Sequence, residues 1–174
     1  MVSGLVVASR NQHFIATVAD ILARTNAPAD CITLEITESV IMRDTHASLQ
    51  SLRALKALGV RLAIDDFGTG YSSLSYLQRF PVDVLKIDRA FVEGVSRGGS
   101  DAALARTILT LGQSLGLQTV AEGVETESER VQLAQMGCVL AQGYLFARPK
   151  PADEVTAWIR LRALAAPYAT QAAT

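Results

Sequence analysis

Arg61-Leu62-Ala63-Ile64-Asp65-Asp66-Phe67-Gly68-Thr69-Gly70-Tyr71 is a short apolar run that ends in two adjacent carboxylates and passes into a glycine-punctuated loop. Burying a pair of like charges at the tip of a strand is unfavourable unless a cation, commonly a metal, neutralises them. Other strand-like runs share the design: Ile32-Thr33-Leu34-Glu35-Ile36-Thr37, Val84-Leu85-Lys86-Ile87-Asp88, and Leu117 to Ala121 with Glu122 just beyond. The repetition points to a metal-centred site at the mouth of a barrel.

Side-chain parity sharpens this. Glu35 lies on the face opposite the large apolar residues of its run, Asp65 shares the face of Ala63, Lys86 shares that of Asp88, and Glu122 falls in line with Val120. With the bulky face packed on helices, the charged face points into a barrel interior near its C-terminal rim, where barrel enzymes keep their chemistry. Between the strands, helical periods run over His13–Thr25, Ala47–Leu58, Ser72–Arg79, Ser100–Leu115 and Ser128–Met136, with a last helix from Pro151 past Trp158. Several close on a glycine (Gly59, Gly116, Gly137). Strands alternating with helices are the signature of parallel βαβ units. Five clear strands and a ragged one near Leu5–Ala8 are expected.

The 174 residues suffice for one domain with a substantial core. With 49% hydrophobic residues, 19% charged and a net charge of −1, the chain is neither disordered nor strongly electrostatic. Its 16 basic residues form no stripe that would suit a nucleic acid. Cys31 and Cys138 read as small core residues in a reducing compartment. No apolar run approaches a membrane span, so no membrane contact and a cytoplasmic location are expected. The segment 165–174 reads as a frayed tail after a domain over 1–164.

Glu35, Asp65, Asp66 and Glu122 are hard oxygen donors, a set that suits Mg2+, Mn2+ or Ca2+ rather than zinc or iron. Taken singly, each acid could instead cap a helix or meet an arginine. Lys86 is the one basic residue deep in a strand. It could form a salt bridge with Asp88 or Asp65, or its pKa could be lowered by desolvation and a metal so that it orients or deprotonates water. Gly68 and Gly70 could form a phosphate nest or merely a tight loop. His13 and His46 read as surface residues.

Leu34-Glu35-Ile36-Thr37-Glu38-Ser39, Asp65-Asp66-Phe67-Gly68-Thr69-Gly70-Tyr71-Ser72-Ser73-Leu74, Leu85-Lys86-Ile87-Asp88, Ala121-Glu122-Gly123-Val124-Glu125 and Gln142-Gly143-Tyr144-Leu145-Phe146-Ala147-Arg148-Pro149 together resemble the EAL family of bacterial cyclic-di-GMP phosphodiesterases. The likeness runs from about Phe14 to Ile159. It implies an α/β, TIM-barrel-like (β/α)8 fold that binds the cyclic dinucleotide across its C-terminal rim. There, two divalent ions (Mg2+ or Mn2+, with Ca2+ binding but not supporting hydrolysis) would activate water and yield linear pGpG. By the same resemblance, Glu35 and Asp65 would hold one ion and Asp66 the other, with Glu122 at or near it. Lys86 would hold or deprotonate the water, and Glu38 would anchor the Asp66–Tyr71 loop. Asp88, Glu125 and Gln142, with Gly68, Thr69, Gly70, Arg148 and Pro149, would contact substrate or support the ligands.

The chain departs from the family's pattern at its start. The Glu-Ala-Leu segment does not occur. The metal-binding asparagine of the next strand has only Ser3 or Val7 as counterparts; Asn11 lies past that strand. The expectation is an incomplete barrel of about six β/α units, opening at the second strand and unclosed, which would seek a second copy or a swapped strand. GGDEF or sensory domains often accompany this family. A non-catalytic binding or interaction module, and an enolase-like proton abstraction, are the rival readings.

Overall fold

In a computed structural model of the chain, residues 3–5, 12–43, 45–68 and 77–165 are described. Six strands form one parallel sheet in sequence order: β1 (Ser3–Leu5), β2 (Thr33–Thr37), β3 (Arg61–Phe67), β4 (Val84–Ile87), β5 (Gln118–Ala121) and β6 (Leu140–Ala141). The helices are α1 (Gln12–Thr25), α2 (Glu38–Arg43), α3 (Thr45–Ala57), α4 (Arg89–Val95), α5 (Ser100–Ser114), α6 (Glu127–Gln135) and α7 (Ala152–Ala165). All strand pairs are parallel neighbours in sequence, the arrangement that βα repetition dictates. Among the described residues β1 pairs with β2 alone and β6 with β5 alone.

The two faces of the sheet bury different things. Ile36, Leu62, Ile64, Leu85 and Ile87 join Ile41, Leu52, Val92, Ile108 and Leu133 in the large core between sheet and helices. On the other face Ala63, Val84 and Val120 form a separate small cluster with Leu140 against it. This inner layer is the floor beneath Glu35, Asp65, Lys86 and Glu122, as the parity of the strands predicts.

The glycine stops are real caps. After α5, Leu117 N–H bonds the Gly112 carbonyl at 2.9 Å and Gly116 N–H that of Gln113 at 3.1 Å, with Gly116 at φ 67°. The same pair of bonds closes α6 around Gly137. Both are Schellman motifs, which need a residue at positive φ. At the front of α6, Thr126 and Glu129 form a reciprocal capping box.

Several boundaries differ from the sequence reading. Cys31 belongs to a 3-10 turn (Ala29–Cys31) and is exposed, because β2 begins only at Thr33; Cys138 is buried as expected. Two short helices, α2 and α4, follow β2 and β4 directly. Neither was expected from the sequence, because six and seven residues hold too short a period to stand out. His13 and His46 are both exposed. Most of the helix expected over Ser72–Arg79 and nearly all of the segment 165–174 lie outside the described residues, as do Val7, Asn11, Thr69 and Gly70.

One backbone crossing is tight enough to test. At Gly143 a Cβ would meet the N, C and O atoms of Val124, backbone that cannot rotate away. Gly143→Ala is expected to destabilise the fold by roughly 1–3 kcal/mol or more, read as a lower urea midpoint at unchanged slope.

Candidate metal centre at the C-terminal rim

The centre of the site is Lys86. Its strand β4 is buried along its whole length, and the residue is 2% exposed. Its Nζ lies 2.8 Å from Glu35 Oε2 on β2, 3.0 Å from Asp65 Oδ1 on β3 and 2.5 Å from Glu122 Oε1, the residue after β5. Burial pulls the ammonium towards neutrality, but the hydrogen bonds to Glu122, Glu35 and Asp65 outweigh it, so its pKa is raised. Of the alternatives for Lys86, the salt bridge is the one the structure shows: three carboxylates surround the ammonium and favour its charged form. Of the two partners expected, Asp65 pairs with it and Asp88 does not, and Glu35 and Glu122 join Asp65. Asp88 instead caps α4, its Oδ1 accepting Ala90 N–H at 2.8 Å, and it hydrogen-bonds Asp66.

Asp65 and Asp66 are consecutive, so on a regular strand they would point to opposite faces. A register shift brings them together. Ile64 pairs with Leu85 but Phe67 with Ile87, so β3 carries one residue more than β4 across this interval. Asp66 sits at φ 54°, the left-handed conformation that aspartate tolerates better than most side chains. The bulge turns Asp66 towards the interior and returns Phe67, 4% exposed, to the core. Asp65, Asp66 and Glu122 can thus each offer an oxygen within 4.8 Å of the others.

Each remaining predicted residue has a definite place. Glu38 is buried at the start of α2, and its Oε2 accepts Gly68 N–H at 3.0 Å, tying that helix to the loop after β3. Its Oε1 has no hydrogen-bond partner among the described residues. Gln142 Nε2 donates to Glu122 Oε1 at 2.5 Å. Glu125 pairs with Arg89 at 3.1 Å. Arg148 lies over the Tyr144 ring, 4.6 Å from its centre. Beside the acids, a cleft of about 890 Å³ is lined by Arg89, Glu125, Gln142, Tyr144, Arg148 and Pro149 among others. Arg89 and Tyr144 were not singled out from the sequence. Arg89 directly follows Leu-Lys-Ile-Asp at the mouth of β4, which was the available signal. β1 is in register with β2 such that Ser3 stands opposite Thr33 and Leu5 opposite Glu35.

These features define a class: an α/β barrel-type domain whose parallel strands deliver acids and one lysine to their C-terminal ends, in a pattern suited to a hard divalent cation. The sequence profile of the EAL domain matches residues 7–149, and the chain belongs to the EAL domain family, with its TIM-barrel-like fold. The chain is 47% identical over 143 residues to the bifunctional diguanylate cyclase/cyclic di-GMP phosphodiesterase MucR of Pseudomonas aeruginosa, covering 82% of this chain. The solved structure of the MucR phosphodiesterase in complex with c-di-GMP superposes with a TM-score of 0.84 at 43% identity, over 88% of this chain and 63% of that one. A manganese and cyclic-di-GMP complex of BlrP1 from Klebsiella pneumoniae gives a TM-score of 0.78 at 33% identity, over 84% of this chain and 38% of that one. The chain spans about a fifth of the length of the curated relatives it matches, 17% and 21% for two of them. No helix among the described residues is long and apolar enough to cross a membrane.

The acids outnumber the ammonium, and the titration reflects it. Burial, opposed by Lys86 and reinforced by Asp65, pushes the Glu122 carboxyl up to about 7. Burial, then Asp65 and Asp88, raises Asp66 as well. Both groups hold protons in the folded chain at pH values where the unfolded chain has released them. Their contribution to stability is therefore full below the ordinary carboxylate range and is lost as pH rises from about 4.5 to about 7. With divalent ions chelated, urea midpoints across this window should show a loss on the order of 2 kcal/mol. A rise with pH would contradict the geometry.

Proposed function

We propose that the chain is the metal-binding and substrate-binding part of a cyclic-di-GMP phosphodiesterase. The observation that carries this reading is the convergence of Asp65, Asp66 and Glu122 beside a charged Lys86 at the rim. The donor set fits Mg2+ or Mn2+: three carboxylates at strand ends, of which Asp66 and Glu122 are raised in pKa first by burial and then by neighbouring acids, a penalty that a cation relieves. Asp65, Asp66 and Glu122 would hold the ion, which supplies an activated water and charge stabilisation for phosphodiester hydrolysis. Lys86 orients the attacking water as a hydrogen-bond donor. Gln142 fixes the Glu122 carboxylate. Glu38 holds Gly68 at the base of the loop that begins with Asp66. The adjoining cleft has Arg89 and Arg148 for phosphate, Tyr144 for stacking against a base, and Glu125 to accept from a base edge. The complexes of MucR and BlrP1 support the substrate, and the latter's manganese supports the metal class.

A second reading, a module that binds the dinucleotide with little or no turnover, is favoured by one observation. The residue in register with Glu35 on β1 is Leu5, which offers no oxygen. One assay separates the two. With Mn2+ or Mg2+, cyclic-di-GMP should be converted to pGpG far more slowly than by a complete EAL domain, while Ca2+ should permit binding without hydrolysis. Turnover equal to a complete domain would exclude the impaired reading, and no binding would exclude both. Asp66→Ala should weaken Mn2+ binding by at least the roughly hundredfold that even outer-shell substitutions can reach, read by calorimetry.

Among the described residues β1 and β6 are each paired on one side, which also supports self-association through those edges. Sedimentation of the chain at micromolar concentration should show a dimer; a monomer would remove this part of the proposal.

A further inference from the structure

We infer that Glu93 is a positioning residue for the cleft beside the acids: by holding Arg89 at Nε it keeps the guanidinium from closing on Glu125, so that both groups meet a ligand ready to bind. The inference rests on the cyclic-di-GMP reading above and adds to that site a residue outside its walls.

Three observations carry it. First, Arg89 is held at three points. Its Nε donates to Glu93 Oε1, one turn further along α4, and its Nη2 lies 3.1 Å from Glu125 Oε1. Its stem runs so close to Gly123 that a Cβ there would lie 2.5 Å from the arginine Cγ and 2.8 Å from its Cβ and Cδ. A surface arginine without such holds samples many rotamers, and ordering it on binding reduces affinity. Here the ordering is done before a ligand arrives.

Second, Glu125 stands on a fixed backbone. Its N–H and that of Thr126 each donate to Glu129 Oε2 at 2.9 Å, and Glu129 is buried at the front of α6. Val124 N–H donates to the Gln142 carbonyl at 3.0 Å. Of the Arg89–Glu125 pair, the long arginine side chain is therefore the partner free to move.

Third, the pair is open. A guanidinium and a carboxylate favour a fork of two parallel hydrogen bonds. Glu93 takes Nε, and the contact to Glu125 runs from Nη2. Without Glu93, Nε would turn to Glu125 and the fork would close, tying up an arginine and an acid of the cleft at once. Arg89 and Glu125 line the cleft, and among the described residues Glu93 does not. Both members of the Arg89–Glu93 pair are about half exposed, so the pair adds little to stability. Its effect is on where the guanidinium points.

Calorimetry with cyclic-di-GMP in the presence of Ca2+ tests this. Glu93→Ala should weaken binding about three- to tenfold. Glu93→Gln, whose amide oxygen still accepts from Nε, should stay within about twofold of the unaltered chain. Unchanged or tighter binding by Glu93→Ala, the result expected if this acid merely competes with the dinucleotide for Arg89, overturns the inference. An equal loss in both variants overturns it too. In an Arg89→Met background, adding Glu93→Ala should change affinity by less than about twofold. A further loss as large as in the unaltered background would show that Glu93 does not act through Arg89. The Mn2+ affinity of Glu93→Ala should match that of the unaltered chain; a parallel fall would reveal a general structural role and sink the inference. If the unaltered chain binds no cyclic-di-GMP, the functional reading fails, and this inference with it.

Discussion

Three strands meet at one ammonium. Lys86 rises from the fully buried β4 and is held by acids from β2, β3 and β5, so it does for the rim what hydrophobic contacts do for the rest of the sheet. A lone buried lysine would shed its proton, and a lone cluster of carboxylates would keep theirs. Together they stay ionised in part, at the price of a geometry that admits little slack. Removing one member of such a cluster leaves charge uncompensated, typically at about 3–5 kcal/mol. The cluster therefore constrains the relative heights of four strands as firmly as it prepares a site.

The apolar layers make that constraint possible. Ala63, Val84 and Val120 are small or β-branched, and they fill the inner face without crowding the acids one layer above. The bulky residues all go to the helix side, where Ile36, Leu62, Ile64, Leu85 and Ile87 are almost completely enclosed. The separation of a thick outer core from a thin inner one leaves room at the rim for side chains that reach across strands. The segments that follow the strands then supply Arg89, Glu125 and Gln142 to the adjoining cleft.

Much of this was legible in the sequence because it obeys a period. Strand parity assigned Glu35, Asp65, Lys86 and Glu122 to one face, and glycine stops marked the helix ends at Gly116 and Gly137 that became Schellman caps. The motifs carried the family. What escaped depended on contacts that no period encodes. That Glu35 and Glu122 join the expected Asp65 as partners of Lys86, while Asp88 does not, follows from the stagger of parallel strands. Parity alone left Lys86 between a salt bridge and a lowered pKa, because it does not count the acids that converge on the ammonium. Cys31 was placed in a strand because apolar character persists one turn before the backbone extends. The short helices α2 and α4 contain less than two full turns of pattern.

The extra residue in β3 has a meaning beyond the pair of aspartates it unites. A strand alternates like a wave of period two, and an insertion of one residue reverses its phase from that point on. Upstream of the bulge the phase is set by Leu62 and Ile64 on the helix side; downstream it is set by Phe67 on that same side. Asp66 occupies the node between them. A second acid was thus added to the interior without recoding any residue before or after it. The acidic mouth and the hydrophobic wall can then change independently, because the reversal confines the consequences of a substitution at Asp66 to the mouth.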